Sequence, residues 1–554
     1  MFYKTLFTNP IKPYHSVHQI IFTTSELFAT DMSKKYFYIF LLHLINYSDA
    51  ARILGAVFTP SYSHQLAFQP IWKELSLRGH QVTVLTTNPM KDPSLTNLTE
   101  IDLSVSYEIM KSHKTDELLS NSQESIAVRF SKYMEALHVT ADKQLSHPEV
   151  QALIHNKKEQ FDLLMVEAIY PTQMSLSWWF QIPFIGLISL DAPSRIHAAV
   201  GNPVHPVLYP EYDLPFYRNL TFWERLFSTL FMWFMSWYSE HHLHPREDTT
   251  IRKYFGDDVP SVAEIQKNMS MLFINVNPIF HNIRPLVPAT VQIGGGIHLQ
   301  KPKPLPGEIQ EYLDSSKNGF VYFSLGTNVK SASISQKLKD TILETFSDLP
   351  YNVLWKFEND QISDKPDNVK IVEWAPQTAI MAHKNIKAFI TQCGLQSIEE
   401  AIYYNVPIVG LPFYGDQGNN AKIMESKRLG VKLKPAELKK DEFLAAILDV
   451  STNSTYKENL KQIAELYNDE AMTGLEKAIW WTEYVIRHKG AKHLRSPAID
   501  LPLYQYYLVD VISFLGGIVI FILFILIITL KIIFKIIFKI KKYLFRSNVK
   551  NKKD

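Results

Sequence analysis

Apolar positions in this chain come in short unbroken runs separated by amphipathic stretches. Arg52 to Thr59 (RILGAVFT) is one such run, and Gln81 to Thr87 (QVTVLTT) is the next strand candidate. Between them Gln65 to Arg78 predicts a helix with Leu66, Ile71 and Leu75 on one side, closed by Gly79. Strand, helix and strand in close succession open a βαβ unit and so a parallel sheet. Phe161 to Val166 and Ile182 to Ser189 are apolar throughout rather than alternating, as strands covered on both faces must be. The same grammar restarts with strands predicted at Phe320 to Leu325, Val353 to Phe357, Val369 to Val372, Ala388 to Thr391 and Ile408 to Leu411. Between the two series, residues 289–306 carry three glycines and then alternating prolines, which predicts a linker. A chain of 554 residues is too long for one core. The expected architecture is therefore α/β: two doubly wound, Rossmann-like domains at 51–288 and 307–470, facing a cleft, with a helical segment at 471–506.

Three stretches leave this pattern. Val511 to Leu530 (VISFLGGIVIFILFILIITL) is uncharged and about as long as a helix crossing roughly 30 Å of hydrocarbon, so 507–530 is read as a transmembrane helix. The tail, 531–554, holds nine Lys/Arg against one Asp. Positive charge beyond the span keeps that end cytosolic and puts the body on the other side. Near the start, Met32-Ser-Lys-Lys, the apolar run Tyr36 to Ile45 and small residues near Ala50 are the parts of a signal peptide over 32–50. It begins at an internal methionine, so 1–31 reads as an extension upstream of the true start. Sequons at Asn97, Asn219, Asn268 and Asn453 agree with a luminal body. Lys550 and Lys552 stand as in dilysine retrieval signals of the endoplasmic reticulum. The aromatic stretch Phe216 to Tyr238 fits three roles: a pocket wall, a helix on the membrane surface, or core packing.

Composition narrows the class. With 46% hydrophobic and 20% charged residues the chain is globular. Its formal charge of +2 conceals a body of about −6 once the tail is set aside, a poor partner for nucleic acid. One cysteine, Cys393, excludes an intramolecular disulfide.

Candidate chemistry gathers at predicted strand ends, where ligands sit in open α/β sheets. Ser324, Gly326 and Thr327 follow the first strand of the second series and offer a hydroxyl and backbone N–H groups to a phosphate. Gln392, Cys393, Gly394, Leu395 and Gln396 follow another strand and open a helix, whose N-terminus attracts anions. Glu400, one turn into that helix, suits a ribose diol, and Asp416 with Gln417 suits sugar hydroxyls. Trp374 offers an indole face to a planar base, and Gln377 an amide to its edge. Together they describe a ligand shaped as base, ribose, diphosphate and hexose. His64, just past the first strand, can take a proton near neutral pH.

Phe389, Ile390, Thr391, Gln392, Cys393, Gly394, Ser397, Glu400, Pro407, Pro412, Asp416 and Gln417 occupy the slots of one family signature at its spacing. With Trp374 to Gln377 and the block Glu483 to Arg495, the chain from Arg52 onward resembles the UDP-glycosyltransferases, which attach sugars to small lipophilic molecules. The resemblance implies a GT-B fold, with acceptor in the first domain and UDP-sugar in the second. It implies Trp374 stacked on uracil, Gln377 on the base, and Glu400 on ribose. Ser324, Gln392 and Gln396 fall at diphosphate positions, and Asp416 with Gln417 at sugar positions. Gln392 stands where many vertebrate members have His, and a neutral amide gives the leaving UDP less charge stabilisation. His64 matches the catalytic base. Its Asp partner is replaced here by Glu167, whose longer arm demands an adjusted geometry; Asp162 is the poorer alternative.

The expectation is inverting transfer of a hexose from UDP-glucose, or alternatively UDP-glucuronate, to a lipophilic hydroxyl. UDP-sugar acts as co-substrate, with neither cofactor nor metal, since no DxD motif is present. A single-pass endoplasmic reticulum protein in contact with membrane lipid follows, with self-association left open. The rivals are a UDP-sugar epimerase, which needs no membrane anchor, and a UDP-sugar-binding protein that has lost catalysis.

Overall fold

The computed structural model describes residues 50–120, 126–156, 158–358, 362 and 365–550. The extension 1–31, the signal peptide expected at 32–50 (Ala50 aside) and Lys552 lie outside the described residues.

The first sheet is parallel throughout, built from β1 (Arg52–Val57), β2 (Gln81–Thr86), β3 (Leu98–Asp102), β4 (Leu163–Glu167), β5 (Phe184–Ile188), β6 (Met271–Ile274) and β7 (Thr290–Gln292). Its order is β3-β2-β1-β4-β5-β6-β7. The second, also parallel, comprises β8 (Phe320–Ser324), β9 (Asn352–Lys356), β10 (Val369–Val372), β11 (Ile386–Thr391), β12 (Ile408–Gly410) and β13 (Gly430–Lys432), in the order β10-β9-β8-β11-β12-β13. Strands β4 and β8 are buried at every position, as two-sided cover requires.

Strand order reverses direction between β1 and β4 in one sheet and between β8 and β11 in the other. Helices leaving these neighbouring strands run to opposite faces, so the carboxyl ends are left open at each switch point. The segments carrying His64 and Glu167 leave the first switch point, and those carrying Ser324 and Gln392 the second.

Several elements differ from their sequence reading. The edge strands β3 and β13, together with β6, escaped prediction: β3 is LTEID, mostly polar and half-exposed, and β13 is only three residues long. The linker expected at 289–306 starts later, because Thr290–Gln292 pairs with β6 and is drawn into the first sheet. The first helix spans Tyr62–Leu77 and buries Ala67, Phe68, Ile71, Trp72 and Leu75; Leu66 is half-buried at the cleft. The helix Phe222–Tyr238 is closed by a capping box in which Thr221 and Glu224 exchange side-chain and backbone bonds. Of that helix only Ser228 and Met232 are buried, so core packing within the aromatic stretch falls mainly to its start, where Tyr217 and Leu220 are buried.

The two sheets are tied together. Tyr217 and Phe280 from the first half pack into the core beneath the second sheet. The helix Gly474–Arg487 returns to lie against the helix Tyr62–Leu77 and β7. Beyond it runs the helix Val509–Lys550, whose part Val509–Arg546 is long and apolar enough to cross a membrane and is nowhere buried.

Candidate active site

His64 sits in the first turn of the helix that follows β1. Its Nδ1 is 2.9 Å from Glu167 Oε1 and 2.9 Å from Ser189 Oγ. The partnership follows from topology: β1 and β4 are paired with Ala56 opposite Val166, so Glu167 at the end of β4 lies under the loop leaving β1. Glu167 is fully buried. Its other oxygen, Oε2, accepts from the Thr59 backbone N–H at 2.8 Å and from Thr59 Oγ1 at 2.7 Å. The two Thr59 donors hold one end of the longer side chain, leaving Oε1 for imidazole. This is the geometric adjustment that glutamate in place of aspartate demands. Burial alone would push the Glu167 carboxyl up, but the His64 ring and the Thr59 donors outweigh it and hold it below the ordinary carboxylate range. A carboxylate only accepts, so the bond to Glu167 puts a proton on Nδ1, and in the neutral ring the lone pair is then on Nε2. Asp162, at the other end of β4, instead accepts from the Arg52 backbone N–H at 2.8 Å and is remote from the ring.

Across the cleft, Gly326 adopts φ +77°, and a Cβ there would lie 2.1 Å from Gln392 Nε2. Glycine is thus required for the loop after β8 to meet the loop after β11. Ser324 Oγ accepts from Gly326 N–H at 3.2 Å, and Gln392 Oε1 accepts from Thr391 Oγ1 at 2.9 Å. Gly394 opens the helix Leu395–Tyr403, so the first N–H groups of that helix lie beside Gln392. Glu400 on the same helix accepts from Gln377 Nε2, which also donates to Ser397 Oγ at 3.1 Å. Gln377, read from sequence as a base contact, thus has its amide N–H groups engaged with Glu400 and Ser397. Gln396 Nε2 donates to the Ser189 carbonyl at 3.1 Å, making a bond between the two halves. Asp416 Oδ2 accepts from Asn420 Nδ2 at 2.6 Å, and its carboxyl is raised by burial, only partly offset by Asn420 and His64. Gln417 Oε1 caps the turn by accepting from Phe413 and Tyr414 N–H.

His64, Thr59, Ser324, Gly326, Gln377, Gln392, Gly394, Gln396, Glu400, Asp416 and Gln417 line a single cavity of about 1730 Å³, as do Thr327 and Trp374, while Glu167 and Ser189 stand behind its wall. Small-molecule sites occupy about 300–1000 Å³, so this one has room for two ligands end to end. One wall carries Ser324, Gln392 and Trp374; the far wall is apolar, with Met134, Leu137, Phe227, Phe231, Phe234 and Tyr238. Trp374 is 57% exposed and meets Tyr62 edge-on at 5.4 Å across the cleft, and Ser61 Oγ donates to Asn328 Oδ1 at 2.9 Å nearby.

Sequence reasoning missed several residues here. Thr59 and Ser189 hold the dyad yet show no local signal, since each acts through a strand remote in sequence. Lys356 also lines the cavity; its Nζ donates to the Gly326 carbonyl at 2.8 Å and lies 5.6 Å from the Trp374 ring. A lysine inside the apolar strand VLWKF was the available sign. Among the described residues, no group of three or more His, Cys, Asp or Glu side chains is arranged to hold a metal ion.

A sequence profile of the family described as "UDP-glucoronosyl and UDP-glucosyl transferase" matches residues 53–544. The chain belongs to this UDP-glycosyltransferase family and is a hexosyltransferase using a UDP-sugar donor. It is 34% identical over 476 residues to UDP-glucosyltransferase 2 of Dactylopius coccus, covering 85% of this chain and 91% of that protein. It is 32% identical to the ecdysteroid UDP-glucosyltransferase of Spodoptera littoralis nuclear polyhedrosis virus, covering 85% and 95%. With human UDP-glucuronosyltransferase 2B7 it shares 28% identity, covering 89% and 96%. Among solved structures, the spinosyn forosaminyltransferase SpnP superposes with a TM-score of 0.53 at 14% identity, covering 79% of this chain and all of that one. The fold is GT-B.

Proposed function

We propose that this enzyme transfers glucose from UDP-glucose to a hydroxyl of a small lipophilic acceptor, in one inverting displacement. The observation that carries the reading is the His64–Glu167 pair opening onto a cavity shared with Ser324, Gln392 and Trp374. His64 Nε2 removes the acceptor proton, and the oxygen attacks the anomeric carbon from the face opposite UDP. Glu167 holds the imidazolium that forms. N–H groups at the start of the helix Leu395–Tyr403, with Ser324 and Gln392, steady the departing diphosphate. Trp374 stacks on uracil, Glu400 takes the ribose diol, and Asp416 with Gln417 takes the hexose. Glucose is favoured because relatives named as glucosyltransferases reach 34% and 32% identity, against 28% for the human glucuronosyltransferase.

The helix Val509–Lys550 anchors the chain in the endoplasmic reticulum membrane with the body luminal, and the helix Phe222–Tyr238 rests on the bilayer surface. In support, Trp223 and Trp233 on that helix are 73% and 65% exposed while its neighbours wall the cavity, a placement suited to acceptors arriving from lipid. The test is a transfer assay on microsomes, screening phenols, flavonoids and steroids against UDP-glucose and UDP-glucuronate. His64→Ala should abolish transfer while UDP-sugar still binds. Near-full transfer by that variant refutes the assignment, and turnover of UDP-glucuronate alone reassigns the donor.

A further inference from the structure

Glu400 is held from a direction that the family signature does not contain. His298, in the segment between the two sheets, is 3% exposed and stands between two buried carboxylates of the helix Leu395–Tyr403. Its Nδ1 is 3.5 Å from Glu399 Oε2 and its Nε2 is 3.5 Å from Glu400 Oε1. Three glycines bring the segment there. A Cβ on Gly294 would lie 2.6 Å from the Val276 backbone, and Gly295 and Gly296 adopt φ +99° and +97°. With no side chain in the way, Gly295 N–H donates to Glu399 Oε1 at 2.8 Å and the ring drops in beside it. Both carboxylates and the ring are out of water, where an ionic contact is weakly screened. Burial alone would strip the ring of its proton, but the two glutamates outweigh it and keep His298 above the ordinary histidine range.

We propose that His298 is a positioning residue for the donor: seated by the interdomain segment, its ring fixes the plane of the Glu400 carboxylate that receives the ribose diol. This rests on the assignment of Glu400 to ribose made above. Gln377 grips Glu400 Oε2 and His298 faces Oε1, so the carboxylate is restrained from two sides. Without the ring, Oε1 is free to swing, and two ribose hydroxyls no longer meet a fixed pair of acceptors. Glu400 keeps its contact with Gln377 and takes no part in the displacement, so the loss falls on donor binding rather than on the chemical step.

The test is steady-state kinetics of the full chain in microsomes with a phenolic acceptor. Wild type, His298→Ala and His298→Gln are each given UDP-glucose and its 2′-deoxyribose analogue. His298→Ala should raise the KM for UDP-glucose about five- to tenfold with kcat within about twofold, and His298→Gln should recover part of this, since its amide offers N–H groups of similar reach to Glu400. With the deoxyribose donor, wild type and His298→Ala should differ less than about twofold. Equal KM losses on both donors make His298 merely structural and overturn the proposal, as does no loss on either. A wild type that uses the two donors equally well refutes the ribose role of Glu400 itself. Should His298→Ala not accumulate, the same comparison is read from His298→Gln.

Discussion

Replacing Glu167 by glutamine separates charge from shape at the catalytic pair. The amide is nearly isosteric and keeps an oxygen for one partner, but it carries no charge to meet an imidazolium. At 2.9 Å and an effective dielectric constant of about 20, carboxylate and imidazolium attract by roughly 6 kcal/mol. The ring is only partly protonated at the transition state, so about 4 kcal/mol is lost there, which is about 10³-fold in kcat. The donor KM should stay within about twofold, because Glu167 does not line the cavity. Glu167→Asp shortens the arm by one C–C bond, about 1.5 Å. The carboxylate then cannot keep both Thr59 donors and the ring, and a loss of about tenfold is expected. Initial rates of UDP release at saturating acceptor, with donor concentration varied, measure both quantities. A Glu167→Gln enzyme within about threefold of the wild-type kcat refutes the role of Glu167. A donor KM rising in step with the lost kcat points instead to a general disturbance of the cleft.

Two further outcomes follow from the cavity. Trp374→Ala should raise the donor KM about 10- to 100-fold with little change in kcat, since base–aromatic stacking is worth about 1–3 kcal/mol; Trp374→Phe should recover much of it, and an unchanged KM would remove Trp374 from the donor site. Asp213 lines the cavity and is exposed within it; the surrounding protein desolvates its carboxyl, and with repulsion from Glu211 and Asp416 this pushes it up to about 7. Below that pH it is neutral and tolerates an apolar acceptor; above it the charge must be desolvated, so the KM of an uncharged acceptor should rise from pH 6 to pH 8 and Asp213→Asn should flatten the profile.

Apolar-rich runs were enough to predict β1, β2, β4, β5, β8, β9, β10, β11 and β12; those buried on both faces, such as β4, β5 and β8, must be apolar at consecutive positions. The residues that follow those strands stood out because in such sheets the carboxyl ends are where ligands go, and the structure gathers Ser324, Gln392, Glu400, Asp416 and His64 around one cavity. Short or half-polar edge strands such as β3 and β13 carry too little burial to announce themselves. Thr59 with Glu167, His64 with Ser189, and His298 with Glu400 were beyond reach. Each joins residues about a hundred or more positions apart, and the partner is chosen by which strands are neighbours and how two sheets face each other. Elements are written locally, in hydrophobic period and backbone preference. The pairs that orient a ring or a carboxylate exist only once strand order and the packing of the two halves bring remote side chains within hydrogen-bond reach.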